Sequence, residues 1–173
     1  GIVGQLSFLA RADAGQMPLS FEILALDELV QDLAEETVVL ASSRSINVSL
    51  GECAPCRLKG DRMRIRQLLL NLADNAVKHN LPGGRVVIRL ACENGRALFE
   101  IENTGSLLQP DQQPRVFERF FRGDAAHGSG TDGSGLGLSI AQSIVHAHDG
   151  EITFSTLPGN KTRVTVSLPQ AVG

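Results

Sequence analysis

At 173 residues, with 42% hydrophobic and 20% charged residues, the chain has room for one domain with its own core. A formal net charge of −3 supplies no global field for nucleic acid, and the absence of Trp and Tyr removes most stacking platforms for single strands. No apolar run nears the roughly 20 residues of a membrane helix and no signal-peptide pattern is present, so the expectation is a domain that is not membrane-inserted.

In chain order, residues 2–14 read as a helix with Ile2, Leu6, Leu9 and Asp13 on one side, the tail of a longer helical element. Residues 15–26 read as a connector containing Pro18. Asp27 is expected to cap a helix reaching about Arg44, with Leu26, Leu29, Val30, Leu33, Thr37, Leu40 and Ala41 inward. Strands follow at 46–50 and 56–59, separated by a turn over 51–55. Cys53-Ala54-Pro55-Cys56 has C-x-x-C spacing, but neither a second pair nor an H-x₃-H lies nearby to complete a zinc site, so it reads as part of that turn.

Asp61 is expected to cap the next helix, which Pro82-Gly83-Gly84 ends. Within it Asn71, Asn75 and Lys78 recur at i, i+4 and i+7, while Ile65, Leu68, Leu69, Leu72 and Ala76 form an apolar stripe opposite. One reading is a pocket wall for a metal-bound anion, since an amide oxygen suits Mg²⁺ and Lys complements phosphate. The other is a solvated face rich in Asn. Residues 85–91 and 96–103 form a hairpin about Asn94-Gly95, with Ala97, Phe99 and Ile101 inward and Asn103 sharing their parity.

A polar, Gly-rich stretch over 105–133 is long enough to be a lid, its base anchored by Phe117, Phe120 and Phe121, with Arg119 and Arg122 able to reach phosphate. Gly133-Ser134-Gly135-Leu136-Gly137-Leu138 then opens a helix running to about His148, with Gly137, Ile140, Ala141, Ile144 and Val145 inward. Bare N–H groups at such a helix start favour phosphate; a plain hinge is the alternative. Gly128 to Gly133 fits G-x-G-x-x-G but follows no strand, so no dinucleotide fold is inferred, and no Walker-type loop occurs. Strands at 151–156 and 162–168 end the pattern, with Thr162 sharing the parity of Val164, Val166 and Leu168. The expected fold is an α/β sandwich (α+β), a mixed and mostly antiparallel sheet with about three helices on one face.

Taken in order, 61–79, 101–108, 115–122 and 133–140 resemble the N, G1, F and G2 boxes of sensor histidine kinases, whose Bergerat-type (GHKL) ATP-binding fold is shared with gyrase, Hsp90 and MutL. Glu102-Asn103-Thr104-Gly105 and Val145-His146-Ala147-His148-Asp149-Gly150 look most like the heavy-metal-responsive group. The resemblance implies the end of a second dimerisation helix at 1–14, a linker at 15–26, an ATP-binding catalytic domain at 27–169 with its lid at about 105–133, and a tail at 170–173. It implies Mg²⁺ on Asn75, Asn71 beside the γ-phosphate, Lys78 on phosphate and His79 near the nucleotide. Asn103 stands where the family usually has an Asp that recognises the adenine amino group, and as a neutral acceptor is expected to bind less strongly. Gly105 keeps the first glycine of its box, and Leu107 replaces the second. Thr162 would lie near adenine, while the amides of Gly133, Ser134, Gly135, Leu136, Gly137 and Leu138 and the side chain of Arg119 or Arg122 would contact the phosphates.

The implied function is transfer of the γ-phosphoryl of Mg²⁺·ATP to a histidine on a dimerisation domain, then to a response-regulator aspartate. The implied setting is the cytoplasmic part of an inner-membrane sensor. None of His79, His127, His146 and His148 has the acceptor context, so the chain is not expected to label itself. His146 and His148, one residue apart on a helix, point away from each other and do not make a metal pair. Alternatives are an ATP-hydrolysing or ATP-gated protein of the same fold, which typically needs a carboxylate base where Asn71 stands, or a degenerate nucleotide-binding interaction module.

Overall fold

The computed structural model describes residues 1–105, 108–123 and 133–172. Among the described residues four α-helices and seven strands follow one another as α1 (Ile2–Asp13), β1 (Phe21–Ala25), α2 (Leu26–Ala41), β2 (Asn47–Cys53), β3 (Arg57–Asp61), α3 (Arg62–Lys78), β4 (Arg85–Glu93), β5 (Arg96–Thr104), α4 (Gly137–Ala147), β6 (Glu151–Leu157) and β7 (Lys161–Pro169). The main sheet runs β2-β4-β5-β7-β6; β2 lies parallel to β4 and all other neighbours are antiparallel. This is the expected mixed, mostly antiparallel sheet. Val86, Ile88, Leu90, Phe99, Ile101, Val164 and Val166 point from one face into the core, where Leu33, Ile65, Leu68, Leu72, Ile140 and Ile144 of the helices meet them.

The other sheet face is polar. Glu102 pairs there with Arg163 at 3.1 Å and Arg89 at 3.4 Å. Burial alone would raise its pKa, but the Arg163 hydrogen bond and charge, with Arg89, hold it below the usual carboxylate range.

Three local expectations change. The connector contains β1, which pairs antiparallel with β3 in a separate two-stranded sheet. Asp27 does not cap α2; Ala25 holds that position, and the Asp27 carboxylate accepts the backbone N–H of Cys56 at 3.1 Å. The turn expected over 51–55 is shorter, because β2 runs on to Cys53; β2 joins β4, while β3 joins β1. Cys56 is bonded to Cys92 of β4, and Cys53 stays a free thiol. Among the described residues no cluster of His, Cys, Asp and Glu could hold a metal ion, and no helix is long and apolar enough to cross a membrane.

Asp61 does cap α3. Its Oδ1 accepts from Arg64 N at 3.0 Å and its Oδ2 from Ser20 N at 2.8 Å, which ties the connector to the helix start. Burial alone would raise this carboxyl's pKa, but the backbone N–H groups of Ser20 and Arg64 and the Arg64 charge bring it below the ordinary value. Because both Asp61 and Glu102 have depressed folded values, their stabilisation is present above the ordinary carboxylate pKa and is lost as pH falls through the folded one. Asp61→Ala should cost about 1–3 kcal/mol in urea unfolding at pH 7, combining the lost cap with an unmet Ser20 N–H. That difference should shrink as the solution is acidified below pH 4. An undiminished difference at low pH would show that the carboxylate is not its source.

Helix α1 is not an isolated stub. Leu9 is buried in the core, Phe8 lies 4.7 Å beneath the Arg64 guanidinium, and Ile2 and Val3 stay exposed. A cavity of about 370 Å³ opens between α1 and the first turns of α3, lined in part by Phe8, Arg11, Arg64 and Gln67. It does not include the asparagine face.

Candidate nucleotide site

The asparagine face of α3 and the glycine-opened start of α4 form one structure. The Asn71 amide donates to Gly137 O at 3.3 Å, joining the two helices where the sequence places both halves of a phosphate site. Four residues on, Asn75 is half-buried, and no hydrogen bond engages its side chain among the described residues. Lys78, next along the face, holds Asp74 at 2.9 Å. A Cβ added at Gly133 would lie 4.0 Å from Lys78 Nζ and 3.9 Å from Arg122 Nη2, so two cations converge where the chain enters the glycine segment.

The glycine segment is shaped by contacts to the residues just before Gly123. Gly135 has φ +72°, and its carbonyl accepts from Phe120 N at 2.9 Å. A Cβ there would stand 2.8 Å from Phe120 Cα, so only glycine fits without moving backbone. Leu136 is fully buried and anchors the turn, and Ser134 Oγ accepts from Leu136 N at 3.3 Å. Helix α4 has no side-chain cap, and its first-turn N–H groups at Gly137 and Leu138 meet no acceptor among the described residues. Such uncapped groups favour an anion. Gly137 is only half-buried rather than inward, and the inward residues beside it are Leu136 and Ser139.

At the adjoining ends of β5 and β7 lies an amide–hydroxyl pair. Asn103 and Thr162 are register partners on β5 and β7, both buried, and Thr162 Oγ1 donates to Asn103 Oδ1 at 2.8 Å. Gly105 has φ +91°, donates to Asn160 O at 2.7 Å, and would carry a Cβ only 2.9 Å from His79 O. The end of α3 therefore touches the end of β5. His79 sits open to solvent on one side. Crowding by surrounding atoms, then the charges of Lys78 and Arg122, hold its pKa below the ordinary histidine value.

Not every predicted member converges. The Arg119 guanidinium turns away to pair with Asp13 of α1, while Arg122 is the arginine beside Gly133. Ser134 Oγ donates to Gln5 Oε1 at 3.0 Å, a second tie to α1. Of the three phenylalanines predicted to anchor a lid, Phe117 is partly buried against the core, Phe120 is exposed and Phe121 lies under Arg115. Leu107, His127 and residues 124–132 of the predicted lid lie outside the described residues. Both ring nitrogens of His148 are engaged, Nε2 by Asp61 N at 3.1 Å and Nδ1 by Ile144 O at 2.7 Å, so it is neither a ligand nor a phosphate acceptor.

Sequence reasoning missed a supporting knot beneath the site. Arg44 donates to Val77 O, to Lys78 O at 2.9 Å and to Asn80 O at 2.8 Å, meeting the carbonyls at the end of α3. Buried Asn80 bridges Arg85 O and Thr104 Oγ1, and Gly84 leaves no room for a Cβ between them. Gly83-Gly84 after the helix was the available signal; the cationic cap came from a residue distant in sequence.

Comparison with known proteins shows the family. Residues 60–172 match the model of the histidine kinase-, DNA gyrase B- and HSP90-like ATPase family. Sensor histidine kinase RppB of Synechocystis is 32% identical across 97% of this chain and 37% of its own length. Sensor histidine kinase CusS of Escherichia coli O157:H7 is 32% identical across 98% of this chain and 35% of its own. The crystal structure of full-length ShkA in complex with AMPPNP superposes with a TM-score of 0.84 at 29% identity, covering 99% of this chain and 35% of that one. The chain thus spans about a third of the length of these relatives.

Proposed function

This chain belongs to the histidine kinase-, DNA gyrase B- and HSP90-like ATPase family, and from that premise we propose that it is the catalytic domain of a two-component sensor histidine kinase. It binds Mg²⁺·ATP and donates the γ-phosphoryl to a histidine on a dimerisation domain of the full-length protein, for relay to a response-regulator aspartate. The observation that supports this most is the Asn71–Gly137 hydrogen bond, which seats the amide face of α3 against the uncapped start of α4. Phosphoryl transfer asks for positioning and charge neutralisation rather than covalent chemistry from this domain.

Each residue then has a role. Lys78 and Arg122 neutralise phosphate at Gly133, and the amides of Gly135, Leu136, Gly137 and Leu138 cradle the triphosphate. Asn103 and Thr162 meet the base. The Asn75 oxygen, which has no partner among the described residues, fits Mg²⁺, a hard cation that keeps several waters and needs few protein ligands. When bound, that ion supplies charge neutralisation at the phosphates. Arg119, held by Asp13, is assigned no phosphate contact in this arrangement.

Hydrolysis is the weaker reading, because the Asn71 amide already donates to a backbone carbonyl and offers no base. The setting we propose is the cytoplasmic side of a membrane-bound sensor, as the resemblance to sensor histidine kinases implies. With γ-labelled ATP the isolated chain should take up no phosphate, while a mixture with the full-length kinase's dimerisation domain should label that domain on histidine. Labelling of the isolated chain, or steady ATP turnover lost on changing Asn71, would overturn the assignment.

A further inference from the structure

The last turn of α3 carries Asn75 and Lys78, and it is also the negative end of a helix. The final carbonyls of a helix have no partner within it, and its aligned peptide dipoles leave roughly half a negative charge there. A triphosphate beside Lys78 would meet that charge unless a cation offset it. Arg44, at the end of the short 3₁₀ turn Ser42–Arg44 that follows α2, supplies the cation. Its Nη1 donates to Val77 O and, at 2.9 Å, to Lys78 O, and its Nη2 donates to Asn80 O at 2.8 Å. The Arg44 carbonyl accepts from Gly83 N at 3.2 Å, so side chain and backbone together grip the loop that leaves the helix. The same loop reaches the end of β5. The Oδ1 of buried Asn80 accepts from Thr104 Oγ1, and Thr104 Oγ1 accepts in turn from Arg85 N at 2.9 Å. A Cβ at Gly84 would lie 2.1 Å from Asn80 Oδ1 and 2.2 Å from Thr104 Oγ1, so this junction has no slack.

We propose that Arg44 is a positioning residue for nucleotide binding: it offsets the negative end of α3 and clamps that end, through Asn80 and Thr104, to the end of β5, and so fixes Lys78 relative to Asn103. The inference rests on the reading of this surface as a nucleotide site. Arg44 acts through these neighbours, because its fork is turned onto three backbone carbonyls. A lysine in its place keeps the charge but lacks the planar fork that spans several acceptors, and a glutamine loses the charge as well. Thr104→Val cuts the far side of the same clamp and leaves Arg44 in place.

Titration calorimetry with ATP and Mg²⁺ on wild type, Arg44→Gln, Arg44→Lys, Thr104→Val and the Arg44→Gln/Thr104→Val double variant tests this, on protein that circular dichroism shows to be folded. Arg44→Gln should bind ATP at least about fivefold more weakly than wild type, with Arg44→Lys in between. Thr104→Val should also weaken binding, yet adding it to Arg44→Gln should cost little more, since both cut one clamp. A residue that only stabilises the fold would leave ATP affinity unchanged in its folded variants. Should Arg44→Gln not fold, Arg44→Lys decides in its place, a loss of about twofold or more supporting the proposal and a smaller one overturning it. A smaller loss in folded Arg44→Gln, or losses that simply add in the double variant, overturns the proposal while leaving nucleotide binding intact. No binding of ATP by wild type at millimolar concentration removes the underlying reading and this inference with it.

Discussion

Gly135→Ala should bind ATP at least tenfold more weakly than the wild-type chain, whereas Gly137→Ala should bind it almost unchanged. The two glycines lie two residues apart in the same segment, and resemblance alone treats them alike. Their surroundings do not. At Gly135 the backbone has φ +72°, a conformation that costs an L-residue about 1–2 kcal/mol. The added carbon would also stand 2.8 Å from Phe120 Cα and 2.9 Å from Phe120 C, so relief requires shifting backbone. That backbone cannot move alone, because Phe120 N donates to Gly135 O and Phe120 itself has φ +62°. A displaced Gly135 would carry the first amides of α4 with it. At Gly137 nothing lies within 4 Å of the added carbon, and alanine in a helix is favoured over glycine by up to about 1 kcal/mol. Calorimetry on both variants reads the contrast directly. Equal losses at the two positions would mean that the turn is softer than its contacts indicate.

Asn75→Ala should abolish the gain in ATP affinity that Mg²⁺ gives, leaving the variant with about the affinity that wild type shows in EDTA. The reasoning is one of availability. Asn71 spends its amide on Gly137 O and Lys78 is engaged with Asp74, but the Asn75 side chain has no partner among the described residues. Its oxygen is a hard ligand that no such bond commits, and its side chain is free of the helix-to-helix tie that holds Asn71. Losing one of the few protein ligands that Mg²⁺ accepts should cost about 1.4 kcal/mol or more, which is tenfold. Phosphoryl transfer to an added dimerisation domain should fall at least as far. Mg²⁺-dependent binding that survives in Asn75→Ala would place the ion elsewhere.

The sequence was most legible where local chemistry decides structure. Asp61 caps α3 because its side chain reaches an N–H three residues on, an arrangement set within one turn. Asn94 and Gly95 both adopt positive φ, which is why that dipeptide predicts a two-residue hairpin. The order of four boxes identified the family, and Asn71 meets Gly137 O while Gly133 lies beside Lys78 and Arg122. What was not legible depended on partners far along the chain. β1 looked like a connector because its pairing partner, β3, comes more than 30 residues later, and Phe21 and Ile23 remain exposed. Asp27 stands where a cap belongs, yet it turns to Cys56. Arg119 and Arg122 are indistinguishable by spacing. Only the placement of α1, which brings Asp13 to Arg119, separates them.

The tight turn at Asn94-Gly95 lies at the end of the sheet remote from the cleft, but it governs what happens there. From Arg96 onward β5 is matched to β4 without interruption, so that Asn103 falls opposite Val86. At about 3.4 Å per residue, the eight steps from Gly95 to Asn103 carry this register roughly 27 Å. A slip of one residue at the bend would turn every β5 side chain over, sending the Asn103 amide to the polar side of the sheet and Glu102 into the core. The hairpin is thus an indexing pin for the proposed nucleotide site, and lengthening its loop by one residue would mis-set residues it never touches.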